Sequence, residues 1–187
     1  MATERVSPRR SHAVESVIAG DEIVLRLWRR DDRPALELIL ERSSEAFADW
    51  LRGAAKDLAD LAVFLEHVET ASGDGTGYFY AIEKDGEAVG QCSLHHRAVG
   101  TAEIGYWVRT DRAGRGFASR AVNSLAAAAF DDGLCELVIH CDEANIRSAK
   151  VAANAGFVHV ETVQLDPVLP RTRAQSGREM TWVRRRG

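Results

Sequence analysis

The sequence predicts a mixed α/β fold, an α+β sandwich whose central, mostly antiparallel sheet carries helices on both faces. Three observations predict it. Strand-like and helix-like segments follow the order β-α-α-β-β-β-α-β-α-β-β. Three of the strands succeed one another across short turns, as an antiparallel meander does. After a glycine-rich loop the pattern becomes strand-helix-strand, and that crossover makes a locally parallel pair within the sheet.

The elements read as follows. "EIVLRLW" (22–28) alternates and is β-branched, so it reads as a strand. In "RRDDRPALELILERSS", Asp31 or Asp32 can cap a helix, Pro34 suits its first turn, and Leu36, Ile39 and Leu40 form one stripe. "KDLADLAVFLEHVETA" predicts a second amphipathic helix, with Leu58, Leu61, Ala62, Leu65 and Val68 at helical spacing. "SGDGTG" then breaks the chain. The meander consists of "YFYAIEK", a "DG" turn, "EAVGQCSLHHR", an "AVGT" turn and "AEIGYWVRT". Beyond the glycine loop, "ASRAVNSLAAAAFDDG" predicts a helix ending near Gly133. "CELVIHC" is an apolar strand, "NIRSAKVAANAG" a short helix closed by Gly156, and "FVHVETVQL" and "REMTWVRR" are two last strands. The Pro- and Arg-containing loop between those two is placed to form the lip of a site. Residues 1–20 read as a flexible N-terminal arm and 21–187 as a single domain, with no repeat or interdomain linker.

Composition narrows the function. The chain has 187 residues, 45% of them apolar and 28% charged, the balance of an ordinary soluble globule. No apolar run reaches the roughly 20 residues that span a bilayer. The arginine-bearing N-terminus has no continuous apolar stretch, so it does not read as a signal peptide and a cytoplasmic location is expected. The net charge of −4, from 24 basic and 28 acidic residues, argues against a nucleic-acid partner. Cys92, Cys135 and Cys141 form no CxxC pair and read as buried reduced thiols. His95 and His96 are adjacent, so on a strand they face opposite ways and do not share a metal; no metal site is expected.

The loop "RAGRGFASRA" (112–121) carries the strongest signal. A tight glycine turn entering a helix exposes unpaired backbone N–H groups at the positive end of the helix dipole, which suits a phosphate. Arg112 and Arg115 add positive charge. A Walker loop would need G-K-[ST], but Gly116 is followed by Phe117 and Ala118. A dinucleotide fingerprint would need a last glycine where Ser119 stands, although Asp142 and Glu143 lie about where such a fold has its ribose-binding acid. A plain strand-to-helix turn and a dinucleotide site remain alternatives to a coenzyme phosphate site.

Two stretches carry a family resemblance: "EIGYWVRTDRAGRGFASRAVNSLAAAAF" and "LVIHCDEANIRSAKVAANAGF". They resemble the GNAT superfamily of acetyl-CoA-dependent N-acetyltransferases, in particular the Rim-type branch that acetylates N-terminal amines of ribosomal proteins. The chain departs from the superfamily pattern at Ala113, and Arg120 stands where that branch often has Glu. The resemblance implies a GNAT-type fold and acetyl-CoA as cosubstrate. It implies that Gly114, Arg115, Gly116, Phe117, Ala118 and Ser119 wrap the coenzyme pyrophosphate, with Arg112 beside them. It implies that the edge of Tyr106, Trp107 and Val108 pairs with the pantetheine arm. It also implies that Asn145 bonds the pantetheine amide and that Ser148, one turn on, sits near the sulfur.

Making an amide from a thioester requires that the amine lose a proton, that the oxyanion be stabilised and that the thiolate be protonated. Glu103, on the strand face shared with Gly105 and Trp107, is the candidate base, and a backbone N–H near Trp107 or Val108, freed by a bulge, the candidate oxyanion donor. Glu103 also reads as an exposed strand carboxylate paired with an arginine, and Asn145 as a plain helix cap. Trp50, Tyr78 and Tyr80 are candidate pocket walls or core residues. The expected acceptor is a primary amine: a protein N-terminus, or a polyamine or aminoglycoside-like small molecule. A non-catalytic acyl-CoA-binding module is the alternative, and a homodimer is left open.

Overall fold

The computed structural model describes residues 17–20, 22–50, 61–169 and 171–187. Strand β1 (Val17–Gly20) pairs with β2 (Ile23–Leu27). Helix α1 (Arg33–Trp50) and helix α2 (Leu61–Asp74) follow. Then come β3 (Gly77–Lys84), β4 (Glu87–Ala98) and β5 (Thr101–Val108), helix α3 (Phe117–Asp131), β6 (Glu136–Asp142), helix α4 (Ile146–Asn154), β7 (Val158–Gln164) and β8 (Arg178–Arg185). The described strands form one sheet in the order β1-β2-β3-β4-β5-β6-β8-β7. Every neighbouring pair is antiparallel except β5 with β6. This is the mixed, mostly antiparallel sheet that the sequence predicts.

Local chemistry explains most boundaries. The Asp85–Gly86 turn between β3 and β4 has positive φ at both residues, 53° and 79°, the geometry of a two-residue hairpin. Before α1 it is Asp32, not Asp31, that organises the entry. Its carboxylate accepts from the Arg29 N–H at 2.8 Å and takes a two-pronged contact from Arg26, at 2.6 and 2.7 Å. Strand β1 occupies the last residues of the stretch read as an N-terminal arm; residues 1–16 lie outside the described residues. In α2 the buried stripe is Leu61, Phe64, Leu65, Val68 and Ala71, so Phe64 replaces the outward Ala62; Leu58 lies outside the described residues. That helix runs through Gly73 and stops at Gly75, where φ is 73°.

The sheet separates two cores. Against α3 and α4 pack Leu25, Tyr80, Ile82, Leu94, Ile104, Leu137 and Ile139 with Leu125 and Ala126. Against α1 and α2 pack Trp28, Leu36, Ile39, Phe64, Val68 and Phe79. Tyr78 and Tyr80 are core residues, 5% and 0% exposed, so neither is a pocket wall; Trp50 is half-buried at the end of α1. His95 and His96 face opposite ways, His95 against Phe79 and His96 against Tyr78. Cys92 and Cys141 are buried, but Cys135 is exposed just before β6, which corrects the reading of all three as interior thiols.

Candidate active site

The parallel pairing of β5 and β6 is short. It covers Thr101 with Glu136, Ala102 with Leu137 and Glu103 with Val138, and then stops. From Ile104 to Val108, β5 stays in unbroken register with β4 on its other side, Ile104 opposite Leu94 and Val108 opposite Gly90. No bulge interrupts that stretch. The unpaired main-chain groups expected near Trp107 and Val108 therefore arise from the divergence of β6, not from a bulge. The edge is pressed against β4: a Cβ on Gly90 would lie 2.4 Å from the Trp107 carbonyl oxygen. Only a residue with no side chain fits there.

The glycine loop lies at the mouth of this gap. Gly114 and Gly116 have φ of 77° and 81°, a region that L side chains rarely adopt. Gly116 is the N-cap of α3 and no side chain caps that helix. The first intrahelical bond runs from the Arg120 N–H to the Gly116 carbonyl, at 3.1 Å. The N–H groups of Phe117, Ala118 and Ser119 thus have no intrahelical acceptor, and they suit an anion. The Phe117 side chain itself is core, 8% exposed, so only its main chain can serve a ligand. Arg115 is exposed. Arg112 is bound to the Glu87 carboxylate, which also takes the buried Arg109 guanidinium at 2.7 Å. These contacts hold Glu87 below the usual carboxylate range, the Arg109 hydrogen bond first among them. Arg112 is in this way an anchor of the loop. Arg120 folds back over it, donating to the Arg115 carbonyl at 2.8 Å and pairing with Glu22 at 3.2 Å.

Alternation assigns side chains to the two sides of the gap. Ala102 and Ile104 enter the α3 core, and Tyr106 packs on the same side. Its phenol donates to the Ser148 carbonyl and lies 2.9 Å from the Ser148 hydroxyl. Burial pushes the Tyr106 phenol up, although the Ser148 contact opposes it, so the phenol stays protonated in the neutral range. Cys141 adjoins this pair, and its thiol is pushed up by burial against the hydrogen bonds of Ser148 and Trp182. Asn145 caps α4: its Oδ1 accepts from the Ser148 N–H at 3.1 Å.

Glu103, Gly105 and Trp107 occupy the other face, as their alternation predicts. The Trp107 ring packs edge-on against Phe47 of α1, with centroids 5.2 Å apart. Glu103 is opposite His95 across the β4–β5 pairing. With Thr101, Val138, His140 and Glu179 it lines an open cavity of about 490 Å³. The His140 Nδ1 lies 3.4 Å from the Thr181 hydroxyl and 3.9 Å from the Glu179 carboxylate. Sequence reasoning missed His140, Glu179 and the Tyr106 hydroxyl. The signal for His140 was present in "LVIHC", where it shares a face with Val138.

The loop between β7 and β8 contacts the end of β6 and the end of α1. The Asp142 carboxylate accepts from the Ala144, Ser176 and Gly177 N–H groups and from the Ser176 hydroxyl, at 2.8–3.0 Å. Burial opposes its ionisation, yet these donors, with Ser176 leading, hold it below the usual carboxylate range. An acid so engaged is not offered to a ribose, which removes the main support for a dinucleotide site. At its other end the loop reaches α1: Thr172 donates to the Asp49 carbonyl and Arg173 contacts the Asp49 carboxylate at 3.0 Å. Among the described residues no three His, Cys, Asp or Glu side chains form a group that could hold a metal ion. No described helix is long and apolar enough to cross a membrane.

The chain is similar to known proteins. The family model described as "Acetyltransferase (GNAT) domain" matches residues 22–158. The chain belongs to the GNAT acetyltransferase family. Solved structures superpose on most of this GNAT domain. The ribosomal L7/L12 α-N-acetyltransferase RimL in complex with coenzyme A has a TM-score of 0.81 at 18% identity, over 90% of this chain and 97% of that one. Mycobacterium smegmatis RimJ with CoA-disulfide gives 0.79 at 21%, over 93% and 88%. The Microcin C7 self-immunity acetyltransferase MccE, in complex with acetyl-CoA and AMP, gives 0.78 at 22%, over 89% and 93%. A search of curated proteins by sequence finds no match.

Proposed function

We propose that this GNAT acetyltransferase moves the acetyl group of acetyl-CoA to the free α-amine of a protein N-terminus by direct attack. The observation that carries the reading is the gap itself. It has N–H groups without an intrahelical acceptor at its mouth, a strand edge that β6 leaves after Val138, and hydroxyl, carboxylate and imidazole side chains on its two faces. The Gly114–Ser119 main chain would hold the coenzyme pyrophosphate, because Gly114 opens onto free space and Gly116 sets the turn. The edge of Tyr106, Trp107 and Val108 would pair with the pantetheine arm. Asn145, its oxygen already engaged as a cap, would offer its amide hydrogens to the same arm. An N–H of the β5 edge would receive the oxyanion. Ser148, backed by Tyr106, would supply the proton to the departing thiolate, and Glu103 on the opposite face would take a proton from the amine. The choice of a protein amine over a small one is supported by the RimL and RimJ likeness and by the lip that the β7–β8 loop forms against α1.

An acceptor screen that follows release of free thiol from acetyl-CoA tests the reading. A short peptide with a free N-terminal serine is expected to turn over, and the same peptide with a blocked N-terminus is not. Turnover of spermidine or an aminoglycoside in its place would move the assignment to small amines. Acetyl-CoA binding without any transfer would make this a binding module. Gly116→Val tests the loop: it forces a β-branched residue into φ of 81° and sets its Cβ 2.9 Å from the Arg120 guanidinium. Acetyl-CoA affinity should fall at least about tenfold; an unchanged affinity in a folded variant would remove the pyrophosphate assignment.

A further inference from the structure

We infer that His140, beside Glu179 and Thr181, is a second proton acceptor for the amine, acting with Glu103 from the opposite wall of the same cavity. The inference rests on the acetyl-transfer reading above and deepens it. The proton count shows the need. A primary amine in neutral water is largely the ammonium form, R–NH3+. It must lose one proton before its nitrogen can attack the thioester carbonyl. A second proton leaves the nitrogen once the C–N bond has formed. The C–S bond then breaks, its electron pair goes to sulfur, and the thiolate takes up one proton. The products are the acetylated amine, coenzyme A thiol and one proton for solvent. Two protons therefore leave nitrogen on the acceptor side in each turnover, and one carboxylate would have to be emptied between the two transfers.

The geometry supplies the second acceptor. Glu103 is the last β5 residue paired with β6, and its partner is Val138. His140 is two residues further along β6, on the same face as Val138 and at the point where the strands part. On β5 the corresponding position is Gly105, which brings no side chain of its own; the Ser93 hydroxyl lies 2.9 Å, and the His95 Nε2 4.0 Å, from where its Cβ would be, so His95 of β4 borders the same face. The cavity lined by Thr101, Glu103, Val138, His140 and Glu179 joins both groups in one volume. The groups facing the imidazole are Glu103 and Thr101 from β5 and Glu179 and Thr181 from β8. With the ring turned so that Nδ1 faces Thr181 and Glu179, Nε2 is the nitrogen left to meet the amine. Imidazole is the side chain that changes charge nearest neutrality, so it can accept a proton from an ammonium and return it to water. Glu179 stabilises the imidazolium in between.

The test is the pH dependence of kcat at saturating acetyl-CoA and saturating serine-terminated peptide, with acetyl-CoA affinity measured in each protein. His140→Asn should lower kcat about 10- to 100-fold and abolish the acid limb of the profile, with coenzyme affinity unchanged. Glu179→Gln should lower kcat with acetyl-CoA affinity unchanged, since it removes the carboxylate beside the imidazole. Added imidazole should restore part of the rate of His140→Ala. A His140→Asn variant with the parent's rate and acid limb would overturn the inference and leave the acetyl-transfer reading intact. A parent that binds acetyl-CoA but transfers to no amine would overturn that reading, and this inference with it.

Discussion

At the residue scale, three side chains combine structure and chemistry most directly. Ser148→Ala should lower kcat and spare acetyl-CoA affinity, because it removes only the hydroxyl that faces the Tyr106 phenol; steady-state kinetics beside a binding titration separate the two constants. Glu103→Gln should lower turnover roughly 100-fold with coenzyme binding intact. Asp142 contributes to stability through its folded-state pKa, which is depressed by its donors. Its contribution is complete above the unfolded value of about 3.9 and is lost as pH falls through the lower folded value. Asp142→Asn should therefore cost on the order of 1–3 kcal/mol at neutral pH, and the deficit in denaturant unfolding should shrink below about pH 4. Much of the residue-level reading was available from alternation: Glu103 does share a face with Gly105 and Trp107, and Asn145 does cap its helix. What alternation cannot supply is a partner distant in sequence. Arg112 reads as a phosphate ligand until Glu87, 25 residues earlier, is seen to hold it.

At the element scale, the gap follows from what borders it. Strand β5 keeps its register with β4 from Ile104 to Val108, while β6 leaves β5 after Val138 and stays paired with β8 along its whole length. Gly90 lets the β4 backbone approach Trp107 and Val108 closely. Gly90→Ala would push a methyl group into the Trp107 carbonyl, at a cost of about 1–3 kcal/mol, and would displace the edge along which the coenzyme arm is expected to run. Thermal unfolding should record the first effect and a weakened acetyl-CoA affinity the second. The order of strands and helices was legible because period-two and period-3.6 patterns are strong here, and turn chemistry at Asp85–Gly86 was explicit. The exits were less so. Helix α2 continues over Ser72 and Gly73 because Ala71 is still buried against the sheet, and such packing outweighs the weak helix preference of glycine.

At the scale of the whole molecule, ligand binding and stability should be linked. Acetyl-CoA at about 100 times its Kd should add about 2.7 kcal/mol to the folded state. For a domain of this size that is a rise in Tm of roughly 5–10 °C, whereas NAD should give none. Thiol labelling offers a separate check on the packing. In the native protein a disulfide reagent should react quickly with Cys135 alone, because Cys92 and Cys141 are buried and burial pushes both thiols up. Full unfolding should release all three. The fold was readable at this scale because a meander leading through a glycine loop into a crossover leaves few arrangements open. The acceptor was not, since a fold does not fix its substrate.

The position of β8 between β6 and β7 has a consequence for the chain as it emerges from the ribosome. Synthesis runs from the N-terminus, and domains fold in that direction. The meander, the glycine loop and α3 can assemble early, but the strand that pairs with β6 on the side away from β5 is the last of the described strands to be made. Until Arg178–Arg185 is in place, β6 lacks its neighbour over seven residues, Asp142 lacks Ser176 and Gly177, and the cavity lacks Glu179. A nascent chain thus carries the glycine loop without the complete cavity. On the proposed reading, acetylating competence should arrive only once Arg178–Arg185 has been made and has paired with β6.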